Sequence, residues 1–172
     1  MLYNRKEENM SESSFLVSLL TSGSSGNATY IETPQRKILV DCGLTGKAIA
    51  AQMEKIGRSV ADIDTILVTH EHVDHIKGIG VLARKYGMDI YANEKTWKAM
   101  ENKNIGVIKQ EQKHLFEPGV TKTFGDIDVM SFAVSHDAAS PQFYSFQKDQ
   151  KQFVMLTDTG YVSEKLRKLL YN

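Results

Sequence analysis

A histidine cluster directly after a predicted buried strand constrains the fold of this chain more than any other feature. Residues 65–69, with the sequence TILVT, form a nearly continuous apolar run, and HEHVDH follows at once over residues 70–75. Such a run is typical of a strand that is buried on both faces. We therefore expect the polar residues of HEHVDH to lie together at the end of a strand, inside a pocket.

The spacing within HEHVDH indicates ligands for metal ions. Alternate side chains of an extended segment point the same way, so His70 and His72 project together. Asp74 and His75 then lie where a helix begins and face a different point of the same pocket. Two imidazoles on one centre, with a carboxylate and an imidazole on the other, suit two adjacent divalent ions such as zinc, iron or manganese.

The alternative interpretation is a polar loop whose histidines serve capping and surface solvation. Four ligand-type residues within six positions, immediately after a buried strand, argue against it. The two intervening residues, Glu71 and Val73, are expected to be spacers on opposite faces. His114 lacks ligand-type neighbours in the sequence, and we interpret it as a surface or strand histidine.

Composition restricts the partner and the compartment. Lysine plus arginine and aspartate plus glutamate both number 21, so any basic surface for nucleic acid must be local. The single cysteine, Cys42, excludes an internal disulfide and fits a reducing compartment. We interpret it as a small buried hydrophobe. No apolar run is long enough for a membrane span, and we expect no signal peptide. The prediction is a cytoplasmic protein with no membrane partner.

Apolar periodicity predicts one α/β domain, layered as a sandwich with helices on its outer faces. Thr45 and Asn93 are placed to cap helices, and Gly87 to end one. Residues 1–13 are expected to be a disordered extension, and residues 14–172 the domain. The predicted strands are 15–20, 28–32 and 37–40, which form an antiparallel meander, then 65–69, 88–92, 127–134 and two around a turn at 148–151. The predicted helices are 45–56, 76–86, one after Asn93 and one that Ser163 opens.

The stretch THEHVDH resembles the His-x-His-x-Asp-His signature of the metallo-β-lactamase superfamily. Three further motifs follow the family order: LVDCG around Asp41, FAVSHDA with His136, and LTDTG with Asp158. The match runs from residue 14 to residue 161. It implies the α/β metallo-β-lactamase-type αββα sandwich.

The resemblance also implies a role for each motif residue. Asp41 would orient a ligand histidine without touching the metal, although an aspartate before Gly43 is also a common turn former. The implied ligands are His70, His72 and His136 for one divalent ion, Asp74 and His75 for a second, and Asp158 as a bridge between them.

The family pattern ends with one more histidine on the second ion, well past the bridging aspartate. No histidine follows Asp158 within these 172 residues. We therefore expect the domain to be incomplete at its C-terminus and the second metal site to lack one ligand.

A finer resemblance concerns the substrate. LTSGSSGNATYIET, DCGLTGKAI and the long stretch around the histidines look like the YycJ-type (WalJ) branch, whose members are described as cytoplasmic, metal-dependent 5′-to-3′ DNA exonucleases with a link to DNA repair. The resemblance implies two divalent ions, zinc or manganese, with a hydroxide between them as the nucleophile. Asp74 would orient this nucleophile or take its proton, and DNA would be the partner.

The glycine–serine loop fits a phosphodiester substrate. Free amides around Ser24, Ser25 and Gly26 can form an anion-binding nest, and Asn27 can donate to a phosphate oxygen. The alternative is a hairpin connection that needs glycine for its dihedral angles. Two other functions stay open: a hydrolase of the same fold for a small ester or a cyclic phosphodiester, and a catalytically incomplete fragment that binds nucleic acid.

Overall fold

The computed structural model describes Ser11, residues 14–162, Glu164, Arg167 and Lys168. The predicted disordered extension over residues 1–13 lies, apart from Ser11, outside the described residues. Ser163, which opens the predicted last helix, also lies outside them. Residues 14–162 contain all of the predicted site.

A six-stranded mixed sheet forms the first layer. Its first three strands form the predicted antiparallel meander, and three parallel strands follow in sequence order. Helical crossovers join the parallel strands, as parallel pairing requires. The strands are β1 (Leu16–Thr21), β2 (Ala28–Glu32), β3 (Lys37–Val40), β4 (Thr65–Leu67), β5 (Asp89–Ala92) and β6 (Lys113–Leu115).

A four-stranded antiparallel sheet forms the second layer. Its spatial order, β10-β9-β8-β7, is that of consecutive hairpins. The turn between β9 and β10 lies at residues 149–150, as predicted. The strands are β7 (Thr121–Phe124), β8 (Ile127–Ala133), β9 (Gln142–Lys148) and β10 (Lys151–Met155).

Alternating side chains of the first sheet build two cores. Leu39 and Ile66 pack on one face with the helices, whereas Ile38 and Leu67 pack on the other face with the second sheet. Successive residues of a strand point to opposite faces, so both faces are apolar where both are covered. The described chain thus shows three layers of the predicted αββα sandwich. The helices are α1 (Gly46–Lys55), α2 (Val73–Ile76), α3 (Ile79–Tyr86) and α4 (Glu94–Met100).

Three helix boundaries lie at the predicted residues Thr45, Asn93 and Gly87. The Thr45 hydroxyl accepts a hydrogen bond from the Ala48 amide at 3.3 Å, and the Asn93 side-chain oxygen accepts one from the Thr96 amide at 2.9 Å. Gly87 ends α3 with a left-handed φ of 76°, as a glycine stop allows. Along the part of the chain that the structure describes, none of the helices combines the length and apolar character that a membrane span needs.

One predicted helix is in fact two. The expected helix over 76–86 is broken at Gly78, between α2 and α3. The Gly78 amide donates to the Cys42 carbonyl at 2.9 Å, so it is bonded to the segment after β3 instead of to its own helix. A side chain at Gly78 would overlap Cys42 Sγ and the Leu44 carbonyl oxygen. The break therefore follows from close packing against this segment.

An ion pair of the second sheet contacts the first sheet at the end of the sandwich away from the histidines. Lys148 Nζ lies 2.9 Å from Asp126 Oδ2, and the two side chains are 6% and 14% exposed. Thr33, directly after β2, donates its hydroxyl to the same carboxylate. Burial raises the pKa of Asp126, but the hydrogen bonds from Thr33 and Lys148 outweigh this effect and lower it. The hydrogen bond from Thr33 joins the two sheets, and Lys148 balances the charge of the carboxylate that accepts it.

Gly80 supplies a test of packing. A Cβ at Gly80 would overlap the carbonyl oxygen of Ile105. Overpacking of this kind costs about 1–3 kcal/mol, and alanine favours a helix over glycine by only about 1 kcal/mol. We expect Gly80→Ala to lower the free energy of unfolding in urea. Gly46→Ala in α1 is the control, because its Cβ would meet only side-chain atoms of Val81 and Leu82, at 3.1 and 3.2 Å. A Gly80→Ala protein as stable as wild type would contradict the described packing.

Candidate metal centre

The histidine cluster lies where the central parallel strands end. β4 ends at Leu67, residues 68–72 continue beyond it, and α2 begins at Val73. His70 and His75 are buried, whereas His72 and Asp74 are partly exposed. The cluster therefore has a buried floor and an accessible rim, as a site for a metal ion and a substrate requires.

Three histidines from two loops converge on one point. Nε2 of His70 lies 3.2 Å from Nδ1 of His72, and Nε2 of His136 lies 3.3 Å from the same Nδ1. A tetrahedral ion with nitrogen ligands at about 2.0–2.1 Å holds those ligands roughly 3.3 Å apart. The three imidazoles therefore fit one divalent ion, and the predicted convergence of His136 on the cluster occurs.

A second group of ligand atoms adjoins the first and shares His70 with it. Its other members are His75 and Asp158, and the three ligand atoms lie within 4.8 Å of one another. His75 Nε2 is 3.0 Å from Asp158 Oδ2. Asp74, the other predicted ligand, is slightly farther away, with its Oδ2 3.6 Å from the same nitrogen. Imidazole and carboxylate donors together suit zinc, manganese and iron.

Asp41 anchors the floor of the centre. Its Oδ2 accepts a hydrogen bond from Nδ1 of His75 at 2.7 Å, and its Oδ1 accepts one from the Thr69 amide at 2.8 Å. The Thr69 hydroxyl also donates to Asp41 Oδ2, at 2.7 Å. Asp41 has a left-handed φ of 60°, which non-glycine residues adopt rarely. The carboxylate thereby turns Nε2 of His75 towards the other ligands, as the predicted orienting role requires.

The electrostatics of the floor differ between its two histidines. Burial, reinforced by the nearby His75, lowers the pKa of His70 to about 4, so its imidazole is neutral at physiological pH and free to bind metal. Burial also acts to lower the pKa of His75, but the hydrogen bond and the charge of Asp41 raise it above its usual value. Two adjacent imidazoles thus carry different proton affinities.

The two ligand loops of the second sheet are tied to each other. His136 follows β8, and Asp158 follows β10 with a left-handed φ of 39°. The Gly160 amide donates to the Ser135 carbonyl at 2.9 Å, and Ser135 and Tyr161 form an isolated antiparallel bridge. These contacts bring the FAVSHDA motif of His136 and the LTDTG motif of Asp158 to one end of the sheet.

The glycine–serine loop adjoins the centre through Asn27. The Asn27 side-chain amide donates to Asp74 Oδ2 at 3.3 Å and lies 3.1 Å from Nε2 of His75. The amides of Gly23 and Gly26 already donate inside the loop. Two serines at its tip are exposed: Ser24 and Ser25.

Cys42 and His114 stay outside the centre, as predicted. Burial raises the pKa of the Cys42 thiol to about 12, and the residue belongs to the core beneath the helices. His114 lies on β6, where its ring stacks on Tyr91 and its Nε2 is 3.0 Å from Asp89.

One prediction inside the motif is wrong. Glu71, expected to be a spacer, is only 8% exposed, and its Oε1 accepts a hydrogen bond from the Ala139 amide at 2.8 Å. The partner lies 68 residues away in sequence, so no local spacing could have indicated the contact. The only signal in the sequence was the charge of Glu71 itself, which lies between His70 and His72.

Known proteins that are similar to this chain agree with the family resemblance of its motifs. A family model described as the beta-lactamase superfamily domain matches residues 36–172. The chain is 62% identical over 164 residues to exodeoxyribonuclease WalJ of Streptococcus pneumoniae, which covers 95% of this chain and 61% of that protein. It is 55% identical over 150 residues to exodeoxyribonuclease YycJ of Bacillus anthracis, covering 87% of this chain and 56% of the relative. The chain thus spans about three fifths of the length of these relatives.

A solved structure supports the same fold. A metallo-β-lactamase of Cronobacter sakazakii superposes with a TM-score of 0.68 over 84% of this chain and 64% of the other, at 21% identity. At that identity the likeness concerns the fold alone. The family model shows that the chain belongs to the metallo-β-lactamase superfamily, and the two exodeoxyribonuclease relatives show that it is similar to the YycJ-type members.

Proposed function

We propose that the protein to which this chain belongs is a metal-dependent exonuclease that hydrolyses DNA from its 5′ end. The observation that carries the proposal is the pair of ligand groups that share His70. Two sites so close together suit a phosphodiester, whose attacking and leaving oxygens both need stabilisation. The similarity to proteins named exodeoxyribonuclease supports DNA as the substrate.

The proposed centre holds two divalent ions, zinc or manganese. Bound there, such ions would supply an acidified water and a positive charge for the developing phosphorane. The chain would contribute a neutral His70 in a dry floor and a fixed His75. The ligands we assign are His70, His72 and His136 for one ion and Asp74 and His75 for the other, with Asp158 between them.

Asp74 is the proposed catalytic residue. Its side chain is 35% exposed, so a substrate can reach it. Asn27 donates to its Oδ2, and this hydrogen bond limits the rotation of the carboxylate. From that position Asp74 would orient the attacking water and accept its proton.

The loop from Ser24 to Asn27 is the proposed contact for the scissile or terminal phosphate. The hydroxyls of Ser24 and Ser25 are available because both residues are exposed. Gly26 and Asn27 would set the shape of the loop, since Gly26 has a φ of 155° and a side chain there would overlap or crowd Gly43 and Leu44. A cytoplasmic location and a link to DNA repair remain predictions.

Removal of His72, a proposed ligand of the first ion, tests the proposed function. We expect wild type to degrade a 5′-phosphorylated, end-labelled DNA duplex in Mn²⁺, and His72→Ala to lose at least about 100-fold in rate, because metal chemistry contributes several kcal/mol. His114→Ala is the matched control, because this histidine lies outside the ligand groups. Gel analysis of products labelled at each end measures the rate and the polarity.

Two outcomes would contradict the proposed function. Equal cutting by wild type and His72→Ala would exclude the metal centre as its source. Hydrolysis of a cyclic nucleotide or a small ester without any attack on DNA would show a different substrate for the same site.

Removal of the Asp41 charge tests the second ion separately. We expect Asp41→Asn to weaken one of two bound Mn²⁺ ions by about 10–100-fold, because a carboxylate that orients a ligand histidine typically contributes that much. Calorimetric titration of the metal-free protein measures both affinities. Asp62→Asn, which alters an exposed pair with Lys37, is the control. Unchanged binding of both ions to Asp41→Asn would show that Asp41 does not support the ligand His75.

A further inference from the structure

Glu71 is a charged residue in a place where water is nearly excluded. It lies between two ligand histidines, and its side chain is directed away from them into contact with another loop. Its Oε1 accepts the Ala139 amide at 2.8 Å, while its Oε2 is buried and has no hydrogen-bond partner among the described residues. Burial of a carboxylate with a single neutral donor is unfavourable. General stability therefore does not explain why a glutamate stands here.

The loop that Glu71 contacts is the one that carries His136. This loop, residues 134–141, joins β8 to β9 and is held at its two ends. Near the start, the Ser135 carbonyl accepts from the Gly160 amide at 2.9 Å. At the end, the Ser140 carbonyl accepts from the Asn93 side chain at 2.8 Å. The Gln142 amide, directly after the loop, donates to the Thr69 carbonyl at 3.0 Å. Glu71 attaches the loop at Ala139, between its two ends, and comes from within the HEHVDH motif.

We propose that Glu71 is a positioning residue that holds the His136 loop against the loop of His70 and His72. The Glu71–Ala139 hydrogen bond fixes the distance between the two loops and thereby the 3.3 Å separation of His136 Nε2 from His72 Nδ1. The three histidines are then already close together before a metal ion binds. This inference rests on the metal centre of the proposed function, but it concerns the geometry of the ligands and not the substrate.

Amide exchange and metal titration test the role of Glu71 directly. In Glu71→Ala, we expect the Ala139 amide of the metal-free protein to exchange at least about tenfold faster, measured by NMR, because its acceptor is gone. We also expect the Co²⁺ affinity of the three-histidine group to fall about 10–100-fold, the usual effect of a lost supporting contact, with altered d–d absorption bands. The matched control is Glu117→Ala, because Glu117 accepts the Glu94 amide at 2.8 Å on the surface. It should change neither quantity.

Two conservative variants separate the effect of the length of the Glu71 side chain from the effect of its charge. Glu71→Gln removes the charge but keeps an acceptor oxygen at the same reach, so this variant should retain Ala139 protection and most of the Co²⁺ affinity. Glu71→Asp keeps the charge but is one methylene shorter, so both quantities should decrease. This pair decides the question if Glu71→Ala does not fold.

Several results would overturn the proposed role of Glu71. These are wild-type protection of Ala139 in Glu71→Ala or Glu71→Asp, wild-type Co²⁺ affinity and spectrum in those variants, or tighter Co²⁺ binding by Glu71→Asp than by Glu71→Gln. A wild-type chain that binds Co²⁺ but does not cut DNA would contradict the exonuclease and leave the role of Glu71 intact. The exchange measurement needs neither metal nor DNA, so the two failures are distinguishable.

Discussion

The rest of the centre depends on the hydrogen bonds that the Asp41 carboxylate accepts. This carboxylate joins the end of β3 to the end of β4 through the backbone and hydroxyl of Thr69, and it holds His75 by Nδ1. The next residues extend this attachment, because the Cys42 amide donates to the His75 carbonyl at 2.7 Å and the Gly43 amide to the Asn27 carbonyl at 2.9 Å. These bonds hold the HEHVDH segment against the segment that follows β3.

The ligands come from separate loops, and each loop needs its own attachment. Parallel strands β3 and β4 deliver the HEHVDH segment, and antiparallel hairpins of the second sheet deliver His136 and Asp158. The two apolar cores pack the first sheet against the helices and against the second sheet. Side chains beyond the strand ends are positioned by hydrogen bonds between loops. Asp41 accepts a hydrogen bond from His75 and Glu71 accepts one from the Ala139 amide, and contacts of this kind around a metal site can control the geometry of its ligands.

Local patterns predicted most of the fold. Caps at Thr45 and Asn93 and the apolar runs of most strands are encoded within a few residues, so they can be identified without tertiary information. The short strands β6 and β7 were not predicted, because KHL and TKTF carry little apolar signal and depend on their neighbours. The candidate ligands were assigned by the resemblance of their motifs to the family, whereas the burial of Glu71 and the break at Gly78 depend on residues distant in sequence and could not be predicted from spacing.

We propose that the two groups of ligand atoms that share His70 hold two metal ions side by side. Anomalous diffraction from crystals grown with Mn²⁺ tests it most directly. We expect two anomalous peaks about 3.5–4 Å apart, the usual spacing of a two-metal site. One should lie among His70, His72 and His136, and the other beside His75 and Asp158. A single peak, or peaks away from these side chains, would contradict the account.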